Sequence, residues 1–189
     1  ARLAAPIQDS TVASYFQIVG ITNGEEVVFN TNVPRPDAGS FRDAAFLLHD
    51  GSLTSLALSG NSAPDGGVYG GGLLDPLSLN DSGDVAFAFD LEPFNFPIEV
   101  HAGLYRYAHD AHTVSPVAEP GTPAPGGGTF AGVGFGPHLN NRGEIAFAGV
   151  APADIGPGAE LGLGMGLYLA DSQDRLRAIV RPGDAAPGG

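Results

Sequence analysis

Cysteine, tryptophan and lysine are all absent from this chain of 189 residues. Without cysteine there is no disulfide framework and no thiol chemistry. Without lysine, positive charge rests on eight arginines against 21 acidic residues, which leaves a formal net charge of −13. Nucleic-acid binding needs basic patches that displace counterions, so a charge of this sign argues against it and against docking on an anionic membrane. No apolar run approaches the ~18 residues of a spanning helix, so direct membrane insertion is not expected. What is abundant is glycine (29) and proline (16), within a chain that is 43% apolar. Many tight turns joining short apolar segments is the signature of an all-β protein.

An internal repeat organises the whole length. Leu79-Asn-Asp-Ser-Gly-Asp-Val-Ala-Phe87 returns as Leu139-Asn-Asn-Arg-Gly-Glu-Ile-Ala-Phe147, and Ile21-Thr-Asn-Gly-Glu-Glu-Val-Val-Phe29 is a degenerate earlier copy. Gly103-Leu-Tyr105 returns as Gly166-Leu-Tyr168, with Ala45-Phe46-Leu47 at the matching place in the first copy. A Pro/Gly landmark at 120–127 returns at 182–189, and a worn form stands at 59–66. Three landmarks in phase give a single repeat domain over 1–189, with units at approximately 7–64, 65–125 and 126–187.

Each unit of about 60 residues reads as four strands. In the second unit, Leu77–Leu79 runs into the turn Asn80-Asp-Ser-Gly83, and Asp84–Phe89 returns from it. Val85, Phe87 and Phe89 fall on one face, Ala86 and Ala88 on the other. With both faces apolar, this strand is expected between two layers. Further strands follow at Leu104–Tyr107 and Val114–Ala118, with the fourth-strand equivalents at Leu53–Leu58 and Leu176–Val180. Three segments, 30–43, 90–102 and 150–165, read as excursions between second and third strands. The expected fold is three four-stranded units like propeller blades, with an open β-solenoid or a stacked β array as the alternative.

Asn80-x-x-Gly83-x-x-Ala86-Phe87 and Asn140-x-x-Gly143-x-x-Ala146-Phe147 resemble the NxxGxxAF tandem repeat of bacterial exported proteins. The turn and strand are also similar to the hairpins of TolB-type propellers. The first unit departs from the pattern, with Thr22, Glu25 and Val28 where Asn, Gly and Ala stand in the others. The resemblance implies an extracytoplasmic protein (secreted, surface or periplasmic) and carries over no catalytic residue.

Few constellations carry chemistry. Asn80, Asp81, Asp84, Asn140, Asn141 and Glu144 place oxygen ligands on Gly-containing turns, a donor set suited to calcium. The competing reading is that the same side chains cap their own turns. His109-Asp-Ala-His112 groups two imidazoles with an acid, but a zinc site needs three or four ligands and no cysteine or second histidine pair supplies them. His49-Asp50 occupies the matching turn of the first unit, which points to a recurrent surface turn rather than a site. His101 and His138 stand alone. Phe94 and Phe96, on a proline-stiffened loop, are candidates for gripping a partner. Glycine runs at 70–72 and 126–128 lack the lysine and following helix of a phosphate loop.

With no catalytic constellation, the sequence points to a non-enzymatic exported scaffold that associates with itself or with another protein. An extracytoplasmic carbohydrate-binding or carbohydrate-active propeller is the alternative, and the lack of tryptophan for sugar stacking weighs against it.

Overall fold

A computed structural model describes residues 16–35, 40–71, 77–93, 101–151 and 165–185. Among the described residues, twelve strands form three antiparallel sheets, each wound in sequence order, and no helix occurs. The first sheet holds β1 (Phe16–Ile21), β2 (Val27–Pro34), β3 (Phe41–His49) and β4 (Ser52–Leu58). The second holds β5 (Ser78–Leu79), β6 (Val85–Asp90), β7 (Ala102–Ala108) and β8 (Thr113–Ala118). The third holds β9 (Gly132–Leu139), β10 (Ile145–Val150), β11 (Met165–Ala170) and β12 (Leu176–Val180).

The three sheets stack face to face. Val85, Phe87, Phe89, Tyr105 and Tyr107 of the second sheet pack on Val28, Ala45, Leu47 and Leu56 of the first. From its other face, Ala86, Leu104 and Val117 pack on Ile145, Phe147 and Tyr168 of the third. All six residues of β6 are buried, as expected for a strand with two apolar faces.

One aromatic pair recurs in each sheet. Phe29 pairs with Phe46 across β2 and β3, Phe87 with Tyr105 across β6 and β7, and Phe147 with Tyr168 across β10 and β11. Ring centroids lie 5.7, 5.5 and 5.8 Å apart. This register corrects the sequence alignment by one residue, because the partner of Tyr105 in the first unit is Phe46 and the matching triplet is Ala44-Ala45-Phe46. Both Gly103 and Gly166 lie two residues before a tyrosine and on the same face of the strand, so the ring folds back over them. A Cβ at Gly103 would lie 2.6 Å from the Tyr105 hydroxyl, and one at Gly166 would lie 2.8 Å from that of Tyr168. In the first sheet the ring is that of Phe46, and the residue two positions before it is Ala44.

The segment 30–43 is not the excursion expected of it. β2 continues to Pro34 and β3 begins at Phe41, with Asn30 opposite Ala45 and Asn32 opposite Asp43. Its polar residues masked a strand whose Asn30, Thr31 and Val33 are buried. Most of the segments 90–102 and 150–165, including Phe94 and Phe96, lies outside the described residues.

A β-bulge also recurs, between third and fourth strands. The shift falls at Ala45/Phe46, Leu104/Tyr105 and Leu167/Tyr168. It leaves Leu56, Val117 and Ile179 as the extra residue of each fourth strand. Leu56 and Val117 are 3% and 7% exposed because the next sheet covers them, whereas Ile179 is 49% exposed. Leu104 and its third-sheet counterpart Leu167 differ in the same way, at 0% and 48%.

Candidate functional site

The repeated turns have one construction. The side-chain oxygen of the first turn residue accepts the backbone N–H groups two and four residues ahead. Asn80 Oδ1 takes those of Ser82 and Asp84, both at 3.0 Å. Asn140 Oδ1 takes those of Arg142 and Glu144 at 2.9 and 3.0 Å. Thr22 Oγ1 does the same for Gly24 and Glu26, both at 3.2 Å. The fourth turn residue has positive φ in each, at 82° for Gly83, 75° for Gly143 and 63° for Glu25. The first unit therefore keeps the turn after losing the motif, with a left-handed Glu25 where glycine is favoured.

The six turn residues singled out as oxygen ligands engage each other and the backbone. Asn141 Nδ2 donates to Asp81 Oδ2 at 2.7 Å, Asp81 N–H donates to Asn141 Oδ1 at 3.1 Å, and Asn80 Nδ2 reaches the Asn140 carbonyl at 3.3 Å. Asp84 Oδ1 accepts the His109 N–H at 3.0 Å. Glu144 accepts Asn140 Nδ2 and the Arg142 guanidinium, and these bonds hold its pKa below the usual carboxylate value. The turns of units two and three are thus clasped in register.

The same edge of the stack carries a second fastening between those units. Arg106 is 8% exposed and projects from β7. Its guanidinium donates to Asp174 Oδ1 at 2.8 and 3.1 Å, to the Asp171 carbonyl at 3.1 Å and to the Gly143 carbonyl at 2.8 Å. A buried arginine of this kind is satisfied only by acceptors arranged around its fork, here from two turns of the third sheet.

Between units one and two, the corresponding place is filled by Glu26, His49 and His109. Glu26 closes the β1–β2 turn, His49 ends β3, and His109 opens the β7–β8 turn. The Glu26 side chain is only 7% exposed, and its Oε1 lies 3.2 Å from His49 Nδ1 and 2.9 Å from His109 Nε2. One ligand atom from each residue falls within 4.8 Å of the other two. The imidazoles meet edge to face at 5.1 Å. Glu26 Oε2 accepts the Thr22 hydroxyl at 3.1 Å, and His49 Nε2 lies 3.5 Å from Asp50 Oδ2. Gly83 leaves room for the group, since a Cβ there would lie 2.7 and 2.8 Å from the two carboxylate oxygens. Two imidazole nitrogens and a carboxylate oxygen form a donor set for a transition metal.

The sequence sets His49 and His109 on matching turns, whereas Glu26 is not among the residues it singles out. The available signal was register, because Glu26 stands where Asp84 and Glu144 stand in the later units. His112 packs edge to face on the His109 ring, 5.7 Å between centroids, but its Nδ1 lies 3.1 Å from the Tyr107 hydroxyl and it is not one of the three ligand residues. His101 Nδ1 lies 3.2 Å from the Leu91 carbonyl, and His138 is exposed.

Asp90, at the far end of β6, is 1% exposed, and neither carboxylate oxygen has a hydrogen-bond partner among the described residues. Burial pushes its pKa up to about 6, with His101 opposing and Asp43 adding to the rise. A raised carboxyl pKa means the folded state holds its proton longer than the unfolded chain does. This residue therefore lowers stability as pH climbs from about 4 to about 6, by about 3 kcal/mol for a two-unit shift. Asp90→Asn is expected to flatten that decline and to gain about 2 kcal/mol at pH 7, measured by urea unfolding across the pH range.

A family model matches residues 4–189, and its description is a family of unknown function, DUF7453. No curated protein and no solved structure matches the chain.

Proposed function

We propose, from the premise that the chain belongs to DUF7453, a family of unknown function, that it is a non-catalytic exported β-repeat module whose third sheet accepts a further layer from a partner protein or a second copy. The carrying observation is the contrast between equivalent positions. Leu104 and Val117 are covered by the third sheet, while Leu167 and Ile179, built into the same places one unit on, are 48% and 49% exposed. Val180 and Met165 extend that exposed apolar surface. An apolar face patterned like two buried ones calls for a layer of the same kind.

A propeller-like arrangement suits this reading, for β1 lies against β5 and β5 against β9, so the first strands of the sheets gather along one edge. Three blades fall short of the four to eight of a ring, and pooling blades between subunits would supply the remainder. The extracytoplasmic placement rests on the NxxGxxAF resemblance, and the non-catalytic role on the structural work done by the turn carboxylates.

Light scattering after size exclusion tests association. The expected result for the unmodified protein is a dimer or larger assembly, converted to monomer by Leu167→Asp with Ile179→Asp. A folded monomer at high micromolar concentration would leave a foreign partner as the only occupant, and capture of a single partner lost in the double variant would identify it. An unchanged assembly in the double variant would overturn the proposal.

A further inference from the structure

The Arg106 clasp and the Glu26 group occupy equivalent positions at the two junctions between units. Arg106 reaches the turn carbonyl of Gly143 and the β11–β12 turn of the third sheet. Across the other junction, Gly83 and the β7–β8 turn of the second sheet face Glu26 and His49 of the first. One junction is fastened by a cation held among acceptors. At the other, a buried carboxylate confronts two imidazoles and no fixed cation of the chain is recorded among the described residues around it.

A buried carboxylate is costly unless a positive charge or hydrogen-bond donors meet it. The imidazoles stand close enough to donate, yet His49 Nδ1 and His109 Nε2 are both shielded from solvent and neither makes a hydrogen bond. At 3.2 and 2.9 Å from Oε1, distance is satisfied and direction is not. Ligands that face a shared ion stand at such distances without bonding one another. Bonds of about 2.0–2.1 Å at tetrahedral angles set neighbouring ligand atoms about 3.3 Å apart, close to the separations seen.

The surroundings are those of a metal site. Metal-bound imidazoles commonly bond a carboxylate through the second nitrogen, and ligating carboxylates are themselves hydrogen-bonded. Here Asp50 stands beside His49 Nε2 and Thr22 donates to Glu26 Oε2, which leaves Oε1 for the ion. We propose that Glu26, His49 and His109 bind one divalent transition-metal ion of the zinc class and that this ion fastens the first sheet to the second, as Arg106 fastens the second to the third. Three protein ligands leave at least one coordination position to water or to an incoming donor.

The test is calorimetric titration of the chelator-stripped protein with zinc, together with visible absorption on adding cobalt and a thermal melt with and without zinc. Expected are one zinc per chain, a rise in melting temperature, and a cobalt absorption band of low-symmetry coordination. Affinity should fall by more than about 100-fold in His49→Ala and Glu26→Gln, beyond the loss for an outer-shell partner, and stay unchanged in His138→Ala. His49 is half-exposed, so its alanine variant keeps the test decisive if Glu26→Gln fails to fold. Absence of stoichiometric zinc binding, or binding in His49→Ala as tight as in the unmodified chain, would overturn the proposal. Zinc binding without any gain in melting temperature would overturn the fastening role.

Discussion

Phe87→Ala is expected to destabilise the protein by about 4 kcal/mol, a large share of the 5–15 kcal/mol that holds a domain folded. Phe87 is fully buried on the face of β6 that meets the first sheet, and its ring stacks on Tyr105 at 28°. Removing it opens a cavity among side chains of two sheets, and each sheet is stiffened by its own hydrogen-bond ladder, so collapse is limited. For a chain of this length the melting temperature should fall by about 8–16 °C. The repeat supplies an internal control. Phe147→Ala, at 2% exposure, should cost nearly as much, and Phe29→Ala clearly less, because Phe29 is only partly buried. Equal losses at all three positions in calorimetry would contradict a stack in which the middle layer is the most enclosed.

Gly103→Ala carries the second large effect, a loss of about 3 kcal/mol from overpacking. The added methyl would meet the Tyr105 ring and hydroxyl within 2.6–3.0 Å, and that ring is fully buried. The chain contains its own compensated version, since Ala44 and Phe46 stand in the first sheet where Gly103 and Tyr105 stand in the second. Gly103→Ala combined with Tyr105→Phe should therefore recover about half of the loss, because the nearest clash is with the hydroxyl. Chemical denaturation of the two single variants and the double variant closes the cycle. Strictly additive losses would mean that the glycine is needed for some reason other than the ring above it.

These features were legible in the sequence to different degrees. The strands around the Asn-x-x-Gly turns were readable because turn chemistry is local, with the residues that cap and those that need positive φ within four positions. The all-β class followed from the same signals. The alignment slip at Phe46 arose because Ala45-Phe46-Leu47 looks as apolar as Gly103-Leu-Tyr105, and only the cross-strand partner fixes phase. Residues 30–34 look like an excursion because asparagine and threonine are common in loops, though Asn30, Thr31 and Val33 are buried within β2. The Glu26 group could not be assembled from spacing at all. Its members are separated by 23 and 60 positions and meet only because one sheet lies on the next.

Valine, leucine and isoleucine at the bulge also decide which way this architecture can grow. A fourth strand with an extra residue is bent and twisted at its outer rim, and in β8 the residue opposite Tyr105 is Pro116, which has no N–H to offer. Such a rim is a poor template for another strand to pair with. Lengthening of a sheet by edge addition, the route to fibres, is thereby discouraged in every unit at the same point. Stacking of a whole layer, as proposed for the third sheet, would meet no such obstacle, so the lateral edges would set the direction of that assembly.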